Sequence, residues 1–250
     1  MNSLSEKNIV ITGASSGIGR QIAIEASKYS ANIVLIARDA DRLEETKRNL
    51  CQGKHLALPF DVTDYSLIED AVSRIVAELG EISGFVHSAG IELTVPFKNM
   101  KPELYEKLFG VNVISGFEFA RIISKKKYHN PDGTSFVFIS SVMGKIGKEA
   151  KVGYCASKSA LTSSVKAMAL ELASKRIRCN TIYPGVVKTE LVNRLFELLP
   201  ESSINEIVRE HPLGLGDPNN IADLILFLLS DKSKWITGSE YVIDGGYSAK

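Results

Sequence analysis

Three short stretches of this sequence contain residues whose types and spacing could do chemistry. In "VGYCASK", Tyr154 and Lys158 stand four residues apart and share one face if the segment is helical. A lysine ammonium beside a phenol favours the phenolate, so the tyrosine could exchange a proton with a bound group near neutral pH. The alternative is an amphipathic helix with a packed ring and a solvated ammonium. In "FISSVMG", Ser140 and Ser141 lie just upstream, Ser141 thirteen residues before the tyrosine. A hydroxyl there could hold a substrate oxygen, or could cap a strand end. In "ITGASSGIG", Gly13, Gly17 and Gly19 follow the first β-branched run. Glycines in a strand-to-helix turn let a pyrophosphate approach the backbone, and a helix beginning near Gly17 would offer free N–H groups to it. An ordinary tight turn would have the same composition.

Elements that would position these residues alternate along the chain. Strands are predicted at Asn8–Thr12, Asn32–Ala37, His55–Phe60, Gly84–Ser88, Ser135–Ser140, Ile177–Tyr183 and Glu240–Ile243. Helical periodicity marks Arg20–Tyr29, Ala40–Leu50, Ser66–Leu79 and Ala160–Ala173. Runs such as "NIVLIA" and "SFVFIS" are apolar on both faces, as in a parallel sheet covered by helices. The pattern predicts a single-domain, Rossmann-type, doubly wound α/β fold of about seven strands over residues 1–250, with helices on both faces. In such a sheet a ligand sits beyond the carboxyl ends of the strands, where the strand order reverses.

The totals exclude several function classes. The chain has 250 residues, 44% hydrophobic, and net charge +1, so nothing general points to nucleic acid or a membrane surface. No apolar run is long enough to span a bilayer, and the N-terminus lacks a signal-peptide core. Cys51, Cys155 and Cys179 are odd in number and widely spaced, and the four histidines lack ligand spacing, so neither disulfides nor a metal site is expected. These features read as a cytoplasmic protein.

Taken together, "TGASSGIG", "DV" at Asp61–Val62, "HSAG" at His87–Gly90, "VNV" around Asn112, "SS" before "YCASK", "YPGVVKT" and "ITGSEYVIDGG" stand in one register from Thr12 to Gly246. In this the sequence resembles the short-chain dehydrogenase/reductases, in the branch of the 3-oxoacyl-acyl-carrier-protein reductases. The resemblance implies that Tyr154 is the general acid in reduction and that Ser141 polarises the carbonyl oxygen. It implies that Lys158 lowers the tyrosine's pKa and bonds the nicotinamide ribose, and that Asn112 holds a water linking Lys158 to solvent. Asn112 could instead simply break a helix. By the same resemblance Gly13, Ser15, Gly17, Ile18 and Gly19 form the phosphate-binding turn, and Asp61 and Val62 contact adenine. Ala89 and Gly90 would pass the adenosine ribose; Pro184, Gly185, Val187 and Thr189 would border the nicotinamide beside Tyr154 and Lys158.

Cofactor choice falls at the end of the second strand, "VLIARDADR". An acid there would bond a ribose 2′-hydroxyl, but Ala37 is followed by Arg38, which suits a 2′-phosphate and favours NADP(H). Arg42 could assist or pair with Asp39. Many NADP-binding relatives carry a base where Ser16 stands. His87 and Ser88 replace two commoner asparagines, and His87 reads as a core residue; Cys155 reads as packing.

By the same resemblance, the region around residues 190–217 is a substrate lid. Leu191, Val192, Leu195, Phe196, Leu198 and Leu199 give it apolar character suited to an acyl chain, or to packing within the lid. Lys125–Lys127 and Lys175, Arg176 and Arg178 resemble basic positions that receive acyl carrier protein, although cations are common at helix ends. The tail "YVIDGGYSAK" resembles a tetramer-forming segment. The leading expectation is NADPH-dependent reduction of a 3-oxoacyl thioester. Alternatives are a dehydrogenase of a sugar, steroid or other secondary alcohol, and a non-catalytic cofactor-binding regulator.

Overall fold

Every residue of β1 (Asn8–Thr12) is buried. Its side chains alternate between two cores, Val10 entering one and Ile9 and Ile11 the other. A strand buried on both faces needs helices above and below it. The chain supplies them as α1 (Gly17–Ser27), β2 (Asn32–Ala37), α2 (Ala40–Arg48), β3 (Leu56–Pro59), α3 (Ile68–Leu79), β4 (Ile82–His87), α4 (Pro102–Phe109), α5 (Ser115–Ile123), β5 (Thr134–Ile139), α6 (Val152–Leu172), β6 (Ile177–Pro184), α7 (Glu190–Glu197), α8 (Glu201–Arg209), α9 (Pro218–Leu229) and β7 (Glu240–Ile243). The computed structural model describes residues 4–249, with the backbone alone at Leu191.

The strands form one parallel sheet in the order β3-β2-β1-β4-β5-β6-β7. This is the doubly wound Rossmann-type arrangement. The order reverses between β1 and β4, so the loops after these two strands open a crevice. One core centres on Phe85, with Phe119 stacked at 5.5 Å and Phe136 and Phe138 edge-on at 5.8 and 6.0 Å. In the other, Ile22 and Ala23 of α1 join Ile221 and Ile225 of α9. No helix among the described residues is long and apolar enough to cross a membrane.

Several boundaries differ from the sequence expectation. β3 is the edge strand and ends at Pro59, a residue that an edge tolerates because its nitrogen needs no ladder partner there. The largest difference is α6, which begins at Val152 rather than Ala160. Its early turns bury Gly153, Ser157 and Lys158 instead of an apolar stripe. A Cβ at Gly153 would stand 2.3 Å from the Met100 methyl, so close helix approach replaced the periodic signal. Between α4 and α5 the helix widens into a π-turn, Gly110–Ile114, which holds Asn112. Beyond β6, α7 and α8 form an excursion closed at its base by pairing between Val187 and Gly216.

Candidate active site

The glycine turn comes first in the chain and sets the crevice. Gly13 has φ +69°, and a Cβ there would lie 2.8 Å from the Ala89 backbone nitrogen. At Gly19 a Cβ would lie 2.4 Å from the Gly13 carbonyl oxygen. These two glycines are therefore required by the chain's own packing, whatever else binds. Ser16 stands at the N-cap of α1, yet its side chain makes no capping bond. The start of α1 is thus left without a side-chain cap, and Ser15, Ser16, Gly17 and Ile18 line a cavity there. Behind the turn, the Thr12 hydroxyl accepts from Ala89 N–H at 3.2 Å and stands 3.0 Å from His87 Nδ1. Burial, aided by the Lys158 ammonium, pushes His87 down to about 3 against the pull of the Asn112 and Val111 backbone. His87 is a neutral core residue tying β1 to β4, as its sequence context predicts.

The proton-bearing groups converge at the carboxyl end of β5. Ser140 Oγ donates to the Lys158 carbonyl at 2.8 Å and is committed to the fold. Ser141 instead accepts from Met143 N–H at 3.2 Å and lines the same cavity as Tyr154, whose phenol its hydroxyl favours in the ionised form. Burial pushes the Tyr154 phenol up; the Glu92 carboxylate adds to this and the Ser141 hydroxyl opposes it. The sequence expectation was the reverse, a phenol lowered by Lys158. Lys158 Nζ lies 5.9 Å from the Tyr154 ring centre and donates to the Ile139 carbonyl at 2.9 Å. Desolvation therefore outweighs the lysine in this structure. Burial also lowers Lys158 to about 8, against the Glu92 charge. Asn112 is wholly buried: Oδ1 accepts from Ile91 N–H at 2.8 Å, while Nδ2 donates to the Ile91 carbonyl at 3.0 Å and Ser157 Oγ at 2.9 Å. A Cβ at Gly90 would stand 3.3 Å from Lys158 Nζ and 3.4 Å from Asn112 Oδ1, so a glycine there opens a space shared by both.

One cavity of about 980 Å³ runs from Ala37 and Arg38 over the glycine turn to Tyr154 and Lys158. Of the residues singled out in the sequence, Gly19 and Asn112 stand behind its wall. Gly13, Ser15, Gly17, Ile18, Arg38, Asp61, Val62, Ala89, Gly90, Ser141, Tyr154, Lys158, Pro184, Gly185, Val187 and Thr189 all line it. An open helix N-terminus midway, an arginine at one end and a proton donor at the other match a nicotinamide dinucleotide in donor chemistry. Arg38 is largely exposed and lies 3.7 Å from Asp61. Burial raises the Asp61 carboxyl, but bonds from the Thr63 N–H and hydroxyl, with Arg38 nearby, hold it below its ordinary value. Thr189 caps α7, its hydroxyl accepting from Val192 N–H at 3.4 Å.

Sequence reasoning missed two ion pairs on the rim. Glu92 pairs with Lys151, which also donates to Thr94. Arg42 pairs with Glu190 rather than Asp39, whose carboxylate caps α2 through Arg42 N–H at 3.0 Å. Of the apolar residues in the segment expected to be a lid, Val192, Leu195, Phe196 and Leu199 line the cavity, whereas Leu198 is 82% exposed and does not. The Leu191 side chain lies outside the described residues. Most of the basic residues read as a carrier-protein patch are committed internally. Lys125 and Lys127 face Glu69 at 2.7 and 3.7 Å, and Lys175 donates to the Ser124 carbonyl at 3.1 Å. Arg178 is half-buried and donates to the Leu228 and Ile236 carbonyls at 2.7 and 3.2 Å. Cys155 Sγ lies 3.8 Å from the Ile146 carbonyl, and burial pushes Cys179 up to about 12.

Known proteins resemble this chain over almost its whole length. A family model described as enoyl-(acyl carrier protein) reductase matches residues 13–248. The 3-oxoacyl-acyl-carrier-protein reductase FabG of Thermotoga maritima is 32% identical over 247 residues, 97% of this chain and 98% of that protein. The NAD-dependent glycerol dehydrogenase of Listeria innocua is 32% identical over 248 residues, 99% of this chain and 96% of its own length. Among solved structures, a putative short-chain alcohol dehydrogenase from Sinorhizobium meliloti superposes with TM-score 0.93 at 28% identity, covering 100% of this chain and 99% of that one. The chain belongs to the short-chain dehydrogenase/reductase family, whose members interconvert C=O and CH–OH with a nicotinamide cofactor.

Proposed function

We propose that the chain reduces a carbonyl to a secondary alcohol with NADPH, and that its preferred substrate is a 3-oxoacyl thioester linked to coenzyme A or acyl carrier protein. The observation that carries the reading is that Ser141, Tyr154 and Lys158 line one end of the cavity and Arg38 the other. The bound nicotinamide supplies the hydride. Ser141 holds the carbonyl oxygen, and Tyr154 gives it a proton as charge develops there. Lys158 steadies the negative charge left on the phenol and bonds the nicotinamide ribose. Asn112, beside the space at Gly90, holds the water through which the proton is restored. Gly13, Ser15, Gly17, Ile18 and Gly19 form the pyrophosphate turn. Asp61, Val62, Ala89 and Gly90 hold the adenosine half, while Pro184, Gly185, Val187 and Thr189 border the nicotinamide. A regulator would have no need of this proton-handling set.

Arg38 favours NADPH because a guanidinium, and no carboxylate, follows Ala37. Apolar lid residues Val192, Leu195, Phe196 and Leu199 favour an acyl chain. A second reading, oxidation or reduction of a polyol or sugar, is favoured by the Glu92–Lys151 pair and by Thr94 and Glu206 on the same cavity. The edge strand β7, with Val242 half exposed, and the tail beyond it support a homotetramer. Oxidation of NADPH and NADH should be followed with acetoacetyl-CoA, dihydroxyacetone and a keto-sugar. Turnover fastest with NADPH and the thioester supports the first reading; preference for the polyol pair supports the second.

A further inference from the structure

The β2–α2 connection places two arginines on the cavity rim, and each already faces a carboxylate. Arg38 faces Asp61 at 3.7 Å. Arg42, in the first turn of α2, is paired with Glu190, the first residue of α7. Arg20 reaches the same carboxylate at 3.3 Å while donating to the Ser15 carbonyl at 2.7 Å. One carboxylate thus joins the glycine turn, α2 and the start of the lid. Ser15, Arg38, Arg42 and Glu190 all line the cavity.

The Arg42–Glu190 pair is open to exchange. The side chains are 33% and 43% exposed, so solvent screens the pair and its net contribution is small. A phosphate presents more charge and more acceptor oxygens to the same guanidinium fork. It would also lie at the N-terminus of α2, where an anion is favoured and the Arg42 cation is not. Asp39 already caps that helix, its carboxylate bonded to Arg42 N–H. Glu190 keeps an alternative partner in Arg20 and a favourable place at the N-terminus of α7.

We propose that Glu190 is an internal stand-in for the cofactor's 2′-phosphate: the phosphate takes Arg42 together with Arg38, and Glu190 falls back on Arg20. Arg42 is then a second residue selecting NADP(H), and the identity of the cofactor is transmitted to the first turn of the lid. This rests on the NADPH reading above.

Binding of adenosine 2′,5′-bisphosphate and of ADP to the full chain, measured by calorimetry, tests both readings separately. Arg42→Gln should weaken the 2′-phosphate ligand about tenfold, the share of one charge-assisted contact, leaving ADP unchanged, and Arg42→Lys should restore part of the loss. Glu190→Gln should tighten the 2′-phosphate ligand by about threefold or more by removing its competitor, again sparing ADP. In the unsubstituted chain, amides at 190–197 should exchange faster with the 2′-phosphate ligand than with ADP, and this difference should vanish in Glu190→Gln. If the unsubstituted chain binds both ligands equally, the NADPH reading falls and this inference with it. If it prefers the 2′-phosphate while Glu190→Gln alters neither affinity nor exchange, or weakens both ligands alike, the NADPH reading stands and the exchange of partners is wrong.

Discussion

Ser140 Oγ donates to the Lys158 carbonyl at 2.8 Å, fastening the end of β5 to the middle of α6. Its neighbour Ser141 lines the cavity together with Tyr154. A Cβ at Gly144 would stand 2.8 Å from Ser140 Oγ and 3.0 Å from the Lys158 carbonyl oxygen, so this joint is tightly closed. Two adjacent serines therefore divide the work of the site, one holding the frame and one facing the substrate pocket.

The two serines should separate by experiment. Ser140→Ala removes the side-chain bond that ties the end of β5 to the Lys158 carbonyl of α6 and should lower unfolding free energy by about 1 kcal/mol in urea titration. Ser141→Ala should leave the urea midpoint unchanged and lower kcat about a hundredfold. Equal effects of the two substitutions on kcat would contradict this division.

The Lys158 proton should set an alkaline limb in the rate of reduction. Burial brings Lys158 to about 8, and the Glu92 carboxylate is what keeps it from falling further. Below that pH the side chain is a cation able to support Tyr154; above it the charge is lost and kcat/KM should fall. The Tyr154 phenol is pushed up and stays protonated across the range, so it adds no limb below this one. Glu92→Gln removes the charge-favouring neighbour and should shift the limb to lower pH, while Lys158→Arg should shift it beyond the alkaline range. A limb unmoved by both substitutions would assign it to another group.

His87 should make the fold acid-sensitive. Its folded value is about 3, while an exposed histidine in the unfolded chain titrates near 6.5. Between those values the unfolded chain binds the proton and the folded chain does not, so stability falls as pH falls through that window, by up to about 1.4 kcal/mol per pH unit. Above the unfolded value the group contributes no slope. Urea midpoints for the unsubstituted chain and His87→Asn, compared across mildly acidic pH, should show a shallower decline in the variant. An identical decline would mean that other groups govern acid unfolding.

The parts of the site legible in the sequence are those made by neighbours in the chain. Tyr154 and Lys158 share a helical face because they are four apart, and the glycine turn is compressed into nine residues. The sheet was legible because β1, β2, β4 and β5 are buried almost throughout, leaving runs apolar on both faces. What escaped was long-range pairing between charged side chains of ordinary surface composition. Glu92 meets Lys151 across 59 residues, and Arg42 meets Glu190 across 148. The start of α6 escaped because Gly153, Ser157 and Lys158 are buried there for approach and hydrogen bonding, which leaves no apolar period to read. The raised phenol was likewise invisible, since it depends on burial and on Glu92 rather than on the nearby lysine.

The most direct test of the account is Tyr154→Phe, assayed for NADPH-dependent carbonyl reduction and, on the same preparation, for NADPH binding by fluorescence. The ring and its packing survive, and only the proton donor is lost. Turnover should fall by about a hundredfold or more, the typical share of a general acid, with NADPH affinity nearly unchanged. Turnover close to that of the unsubstituted chain would place the proton donor elsewhere and contradict the mechanism.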